Sequence, residues 1–429
     1  MDRVDSGWFG WNTLRRSTYK SVVSTPQGSV SVQRRQFLRH AGTTLALAST
    51  ATLAGCARQI IVPNAIPMLP PRAAQLESGV AELAPVRAEV DRITGVYVCS
   101  RPFRAAGPRI ELEKFGDKAV VHNYGHGGSG WSLSWGSSTL AVRMAQATGV
   151  RALGVIGCGA LGLTSALLAQ RAGLSVRIYA KALPPDVFSM RATGLWTPDS
   201  RICDAQHAAD FGDRWETMAR TSYAMYQSML GLPGDPIEWI DGYHLLESTP
   251  GQQNNTVSDE PEYGEFGDRI NDLGPQSVTL PVGSTPFPQP ARRFSIMMFN
   301  ITSYTRMLME DFQLAGGKII VREFNHPREL QALPEHTLIN AAGYGARALF
   351  NDESIIPVRG QTARLIPQPE VNYALMARNL SMVPRRDGLL VQAYGDTGNF
   401  NNSDLTPNRA ASEAAVRQLA GIMATMRST

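Results

Sequence analysis

Runs of consecutive apolar residues alternate along this chain with stretches in which apolar positions recur every three to four residues. That alternation predicts strands and helices in turn. Residues 152–156 are a short apolar run and read as a buried strand; residues 163–172 have helical period and end at Gly173, a plausible C-cap; residues 175–179 are a second strand. Upstream, residues 90–98 are a strand candidate, and Ile110 and Leu112 alternate with Arg109, Glu111 and Glu113 as a half-buried strand does. Val120-Val121 leads into a glycine-rich stretch, and Leu133, Leu140, Val142 and Met144 then read as a helix. Further on, a helical region runs through Trp215, Met218, Tyr223 and Met225, and residues 250–292 are polar and Pro/Gly-rich, hence a long excursion or irregular strands. Strands are predicted at 294–299, 318–324, 337–343, 362–366 and 388–394, a helix at 304–315, and an amphipathic helix at 410–426. The class is α/β, α+β overall.

The 429 residues suggest two or three structural units with a sizeable core, and 43% hydrophobic with 18% charged residues is an ordinary globular balance. The formal charge of +4 comes from scattered basic residues, so nucleic acid is not an expected partner. The four cysteines lack CxxC spacing, so no zinc site or redox pair is indicated. Cys99, Cys158 and Cys203 read as buried or semi-buried thiols, a disulfide among them being the alternative.

Residues 1–32 carry no sustained period and are either disordered or upstream of the true start. Arg34-Arg35-Gln36-Phe37-Leu38 precedes an uncharged, moderately apolar stretch at 41–54, too short for an ordinary membrane span. This resembles a twin-arginine export signal, and Leu53-Ala54-Gly55-Cys56 resembles a bacterial lipobox. Residues 1–56 are therefore expected to be a leader and signal peptide ending at Cys56, and 57–81, with Pro63, Pro67, Pro70 and Pro71, a linker. The expected location is the periplasmic face, or the outer membrane through a lipid on Cys56.

Two motifs carry chemistry. Gly157-Cys158-Gly159-Ala160-Leu161-Gly162 fits GxGxxG and stands between a strand and a helix that leads to a second strand, the full context of a dinucleotide-binding turn. The acidic residue that usually ends the second strand is missing; Lys181 stands there and contacts ribose or phosphate, or is solvated. The turn alone leaves NAD and FAD open. The second motif is His122-Asn123-Tyr124-Gly125-His126-Gly127-Gly128-Ser129-Gly130, which feeds a helix N-terminus whose backbone N–H groups suit negative charge. His122 and His126 at i,i+4 invite a metal reading, but the glycines argue against a helix there and no third ligand is placed, so no metal is expected.

Together these stretches resemble the D-amino acid oxidase family, with Arg101-Pro102-Phe103-Arg104, Pro108-Arg109-Ile110-Glu111, Gly194-Leu195-Trp196, Ile339-Asn340-Ala341-Ala342-Gly343 and Val358-Arg359-Gly360-Gln361 as further matching pieces. The resemblance implies FAD, a Rossmann-like FAD-binding domain and a mixed-sheet substrate domain. It puts FAD-binding parts at about 115–200 and 318–350, and substrate parts at about 82–114, 201–317 and 351–429 of a catalytic unit spanning 82–429. In the family the dinucleotide turn opens the chain and the HNYGHGG segment closes it. Here the order is reversed, so the chain resembles a circular permutant whose new termini fall between the helix ending near Met426 and the segment starting near Glu82.

The resemblance further implies that Arg101 clamps the substrate carboxylate and that the Gly128 carbonyl faces the amine. Gly127, Gly130, Trp131 and Ser132 would face the flavin. Gly157, Cys158, Gly159, Gly162, Lys181, Ser189, Thr193, Gly194, Leu195 and Phe324 would complete the cofactor site. It implies oxidative deamination of a D-amino acid by hydride transfer to the flavin, with oxygen as acceptor; the alternatives are an FAD-dependent amine or imino acid dehydrogenase using another acceptor, or a catalytically weak binding lipoprotein of the same fold. Further expected partners are a lipid anchor at Cys56 and a second copy of the chain. A lid segment is expected at 378–384, with Ser381 where the family carries a Tyr, and Tyr394-Gly395-Asp396-Thr397 replaces a Gly-Gly-Thr pattern. Arg385 and Arg386 read as solvated, the alternative being that they favour a substrate with an acidic side chain.

Overall fold

The computed structural model describes residues 81–246, 259–377, 379–394 and 398–427. The Arg34-Arg35 pair, Cys56, the linker to residue 80, Arg378 and residues 395–397 lie outside them. Two sheets organise the described chain. The first has six strands in the order β2 (Arg109–Phe115), β3 (Lys118–Tyr124), β10 (Thr337–Asn340), β4 (Ala152–Ile156), β5 (Ser175–Ala180) and β9 (Lys318–Val321). Only the β2–β3 hairpin is antiparallel; β3, β10, β4, β5 and β9 all run the same way. Such strands need both faces covered, which accounts for the unbroken apolar run at β4. Helices α1 (Gly130–Ala147) and α2 (Ala160–Arg171) supply cover, and their buried residues share one core with Leu153, Val155 and Ile178.

The second sheet has eight strands in the order β1 (Ile93–Phe103), β11 (Ile356–Leu365), β14 (Gly388–Ala393), β13 (Leu380–Arg385), β12 (Tyr373–Ala377), β6 (Ile237–Leu245), β8 (Ala291–Phe299) and β7 (Val278–Leu280). It is mixed, with β12 and β6 parallel and the other neighbours antiparallel. Alternate residues divide between its faces. Tyr243, Leu365, Leu375, Met382 and Val391 pack with helix α6 (Arg409–Ala424), whose buried stripe is Ala415, Val416 and Leu419. The opposite face carries Ile240, Ile296, Met298, Met376 and Leu390 into the core shared with α1, α2, α3 (Ala208–Gln227) and α4 (Ile301–Leu314).

Several expectations need correction. Residues 90–92 form a 3-10 turn, and β1 begins at Ile93 and runs through Arg101-Pro102. Pro102 is accommodated because β1 is an edge strand. β2, placed with the substrate parts in the sequence reading, pairs with β3 in the first sheet. The segment expected as a lid is, from Leu380, a fully buried strand flanked by β14 and β12. Arg385 is buried rather than solvated: it pairs with Asp387 and donates to the Ala192 carbonyl at 2.7 Å. Arg386 is exposed and pairs with Asp235 and Glu238 at 3.0 and 3.2 Å.

Candidate active site

The parallel strands of the first sheet end on one edge, and each is followed there by a stretch the sequence singled out. Gly125–Gly130 follow β3, Ala341-Ala342-Gly343 follow β10, Gly157–Gly162 follow β4, Lys181 follows β5 and Phe324 lies just past β9. The carboxyl edge of an open parallel sheet is where α/β folds bind ligands, because strand ends diverge into loops and helix N-termini point inward.

The glycine turn has the backbone that its spacing requires. Gly157 has φ +108°, and a Cβ on Gly162 would lie 2.1 Å from the Gly157 carbonyl oxygen, so α2 packs onto β4 only with glycine there. A Cβ on Gly157 would lie 2.5 Å from the Ala341 oxygen, fixing the β10 loop against the turn. Gly159 is the N-cap of α2, and the Ala160 N–H donates to Ser189 Oγ at 3.3 Å. The Ser189 carbonyl in turn accepts from Trp131 Nε1 at 2.7 Å, tying the first turn of α1 to that of α2. Thus Gly157, Gly159, Gly162, Ser189 and Trp131 come together. Cys158 is buried, and desolvation pushes its thiol up to about 12, so it is neutral. Gly194 has φ +95°; its carbonyl accepts from Phe299 N at 2.6 Å, and Leu195 bridges to Met298, so Thr193, Gly194 and Leu195 run from the cofactor edge onto the second sheet. Lys181 turns outward to Glu323 at 3.4 Å, both well exposed. Phe324 packs on Tyr179 under the Arg322 guanidinium.

The loop into α1 is held by buried polar contacts. His126 Nε2 meets Ser137 Oγ at 2.7 Å, and Ser137 Oγ donates to Asn123 Oδ1 at 2.5 Å. Burial pushes His126 down to about 3, so it is a neutral hydrogen-bonding residue. His122 contacts Glu113 at 2.9 Å and Asn340 at 3.2 Å. Gly127 has φ +52°, donates to the Pro102 carbonyl at 2.8 Å, and has no room for a Cβ beside the Arg201 carbonyl. Gly128 N donates to the Ser200 carbonyl at 2.9 Å, and Ser132 Oγ accepts from Thr197 N at 2.9 Å. The helical ladder starts with Leu133 N donating to Ser129 O, so the N–H groups of Gly130, Trp131 and Ser132 precede it. A Cβ on Gly130 would meet only Leu161, at 4.0 Å, which leaves that backbone open to a flat ligand.

These residues fit a flavin dinucleotide: a glycine cradle at a helix N-terminus, an open Gly343 with φ +58°, and a second helix N-terminus facing the same edge.

Arg101 sits on β1 at the boundary between the sheets. Its Nη1 donates to the Arg359 carbonyl at 3.0 Å, and its guanidinium lies over Gly360. Burial holds its pKa below the usual arginine range, with Arg201 adding to the fall and Glu260 opposing it. Among the described residues no carboxylate forms an ion pair with it. Arg104 instead braces the frame, donating to Ser354 Oγ at 2.8 Å and to the Gly107 carbonyl at 3.0 Å. Sequence reasoning missed Arg201, which has φ +51° and pairs with Glu260 at 2.8 Å. Nothing in its local pattern marks a residue with that backbone. It also missed Gln392, whose buried Oε1 has no partner among the described residues.

The family model for FAD dependent oxidoreductase, DAO, matches residues 153–427. The chain belongs to this family. FAD is its cofactor, and the chain is an FAD-dependent oxidoreductase. It is similar to a D-amino-acid oxidase of Rubrobacter xylanophilus, 24% identical over 278 residues, covering 64% of this chain and 77% of the relative. A D-amino-acid oxidase of Dictyostelium discoideum is 24% identical over 294 residues, covering 62% and 72%. Among solved structures, an iminodiacetate oxidase from a Chelativorans species has a TM-score of 0.46 at 14% identity, covering 64% of this chain and 79% of that one. A glycine oxidase from Geobacillus kaustophilus has a TM-score of 0.44 at 13% identity, covering 65% and 81%.

Proposed function

We propose that this protein oxidatively deaminates a D-amino acid. The observation that carries the reading is Arg101: a half-buried guanidinium beside the cofactor edge, with no carboxylate partner among the described residues. A substrate carboxylate pairs with it bidentately, which fixes the Cα position and face. Gly128 is held by its bond to Ser200, with its carbonyl available to the substrate amine. The N-terminus of α1 would favour negative charge on a flavin ring held at this edge. FAD held by these residues would supply the hydride acceptor for the Cα hydrogen and the route for its electrons to oxygen, with hydrogen peroxide as the product. No protein base removes the Cα hydrogen in this reading; the residues position and polarise. The imino acid hydrolyses in water to the 2-oxo acid and ammonia. Anaerobic bleaching of the yellow holoprotein by a D-amino acid, with peroxide released on admitting air, tests it. Absence of bleaching across a substrate panel overturns it. The export-type leader favours a second electron acceptor such as a quinone; dye reduction without oxygen consumption would identify that case.

We also propose that the chain is a circular permutant of its family. The family match begins at residue 153, inside β4, and leaves β1, β2, β3 and α1 before it. Residues 148–151 alone join α1 to β4. The other join is short as well: Val86 N lies 3.2 Å from Met423 Sδ of α6. Twin-arginine export and a lipid on Cys56 remain part of the proposal, on sequence alone; globomycin-sensitive processing and labelling by a fatty acid on Cys56 would test them.

A further inference from the structure

The second sheet has a continuous row on the face turned towards the cofactor edge. Ser381 pairs in register with Gln392, Met376 with Ser381, His244 with Met376, and Arg292 with His244. Tyr97 pairs with Thr362 and Cys99 with Gly360, and one step beyond the pairing of Ala363 with Val391 sets Thr362 beside Gln392. Arg101 and Gly360 therefore occupy the same face, at one end of the row. At the other end lies a cavity of about 80 Å³, walled by Trp196, Trp239, Phe294, Ile296 and Met376. Asp199 also lines it.

Three features make this cavity more than a packing fault. Its wall includes the indoles of Trp196 and Trp239 and the ring of Phe294, and indole faces attract cations. Among the described residues Asp199 has no side-chain partner, while desolvation pushes its carboxyl up to about 6, with Glu265 adding to the rise, so it is ionised above that pH and gains from a cation. Between the cavity and Arg101 the row carries the small Ser381 and the Gln392 carboxamide, both buried, and Gln392 Oε1 has no partner among the described residues. The remaining charged groups on the cavity are His244 and Arg292 on β6 and β8; burial and Arg292 keep His244 neutral.

Length decides the substrate class. From β11, under the Arg101 guanidinium, to β12, at the cavity edge, are three strand spacings, about 14 Å. Glycine or alanine cannot bridge that span, whereas an amino acid with a four-carbon side chain and a terminal cation reaches about 8 Å from carboxylate to ammonium and leaves about one hydrogen-bond length, roughly 3 Å, to a counter-charge at each end. We infer that the cavity is the side-chain subsite for a basic amino acid, with the aliphatic stem between Trp196, Trp239 and Met376 and the distal ammonium on Asp199. This inference rests on the deaminase reading only for the carboxylate end at Arg101.

The test uses ligands that cannot be oxidised. Titrate the FAD-loaded protein at pH 7.5 with 6-aminohexanoate, which has a carboxylate and a distal ammonium but no Cα amine, and with hexanoate. Tryptophan fluorescence and the flavin spectrum report binding. We expect 6-aminohexanoate to bind at least about ten-fold tighter than hexanoate, and Asp199→Asn to bring the two Kd values within about two-fold. Equal affinity in the unaltered protein, or a preference that survives Asp199→Asn, overturns the inference. Turnover then separates the two claims. Tight 6-aminohexanoate binding with no flavin bleaching by D-lysine or any other D-amino acid would sink the deaminase reading and leave the subsite standing. Bleaching by D-alanine with no preference for D-lysine over D-norleucine would do the reverse.

Discussion

Arg101 lies across the backbone of Gly360: a Cβ placed on Gly360 would stand 2.3 Å from Nη1 and 2.5 Å from Cζ of the guanidinium. Glycine on β11 is what lets the arginine fold flat onto the neighbouring strand and present its remaining N–H groups to a carboxylate. Gly360→Ala should therefore displace the clamp without touching the cofactor. We expect FAD content to be retained and kcat/KM to fall at least about ten-fold, mainly through KM. Arg101→Lys should lose at least as much, because an ammonium cannot reproduce the bidentate fork. Steady-state kinetics with flavin content measured on the same samples checks both; an unaltered KM in Gly360→Ala would refute the positioning role.

The cofactor turn makes a sharper demand. A methyl on Gly162 has its nearest neighbour in backbone, the Gly157 carbonyl at 2.1 Å, so no side chain can swing away to admit it. Gly162→Ala should push α2 off β4 and release FAD. The expected product is a colourless or weakly yellow protein with a Tm lower by several degrees. Absorbance in the flavin band and a thermal melt decide it. Full flavin retention would mean that the turn does not hold the dinucleotide.

The legible parts of this molecule are those where one local pattern has one physical meaning. The glycine turn, the apolar run of β4, the Gly-rich entry to α1 and the stripe of α6 announce themselves because each is set by its own neighbours. β6 was missed because it belongs to a mixed sheet: Glu238 and His244 on one face break the apolar run, and their environment comes from β8 and β12, distant in sequence. Arg385 was misread for a related reason, since only the fold brings the Ala192 carbonyl to it. Gln392 and Asp199 carry no local signal at all. Their interest comes from what the tertiary structure leaves unpaired beside them.

His126 supplies a pH dependence with a definite sign. Burial lowers its folded pKa to about 3, against about 6.5 in an unfolded chain. Protons therefore bind the unfolded chain first. The stability contribution is complete above about pH 6.5 and is lost as pH falls towards 3. His122, also lowered by burial, acts in the same direction. Replacing His126 by Gln should cost about 1–3 kcal/mol at neutral pH, through the contact with Ser137. The same change should flatten the fall in stability between pH 6.5 and 4. Urea melts of both proteins across that range check the slope; parallel curves would show that another group controls acid unfolding.

The permutation reading makes the most demanding prediction. Ala81 N donates to the Ser284 carbonyl at 3.1 Å and Arg427 N to the Pro286 carbonyl at 2.9 Å, so residues 81 and 427 are anchored to carbonyls two residues apart, within roughly 7 Å. A few glycine and serine residues suffice to join them. At the opposite junction, Gly149 is exposed, has φ +76° and meets nothing within 4 Å of a built Cβ, which marks a surface turn that tolerates cutting. A chain running from residue 150 to 427, then through the linker to residues 81–148, places the dinucleotide turn first and the HNYGHGG loop last. It breaks no strand and no helix. Such a chain should fold, bind FAD with comparable stoichiometry and keep its turnover within about three-fold, because the loop and the turn meet through Ser189 and Trp131 rather than through the 148–151 link. If the re-cut chain cannot fold while the parent does, the short link between α1 and β4 is itself part of what holds the two helix N-termini on one cofactor edge, and the order of the pieces is more than a rearrangement of a fold indifferent to it.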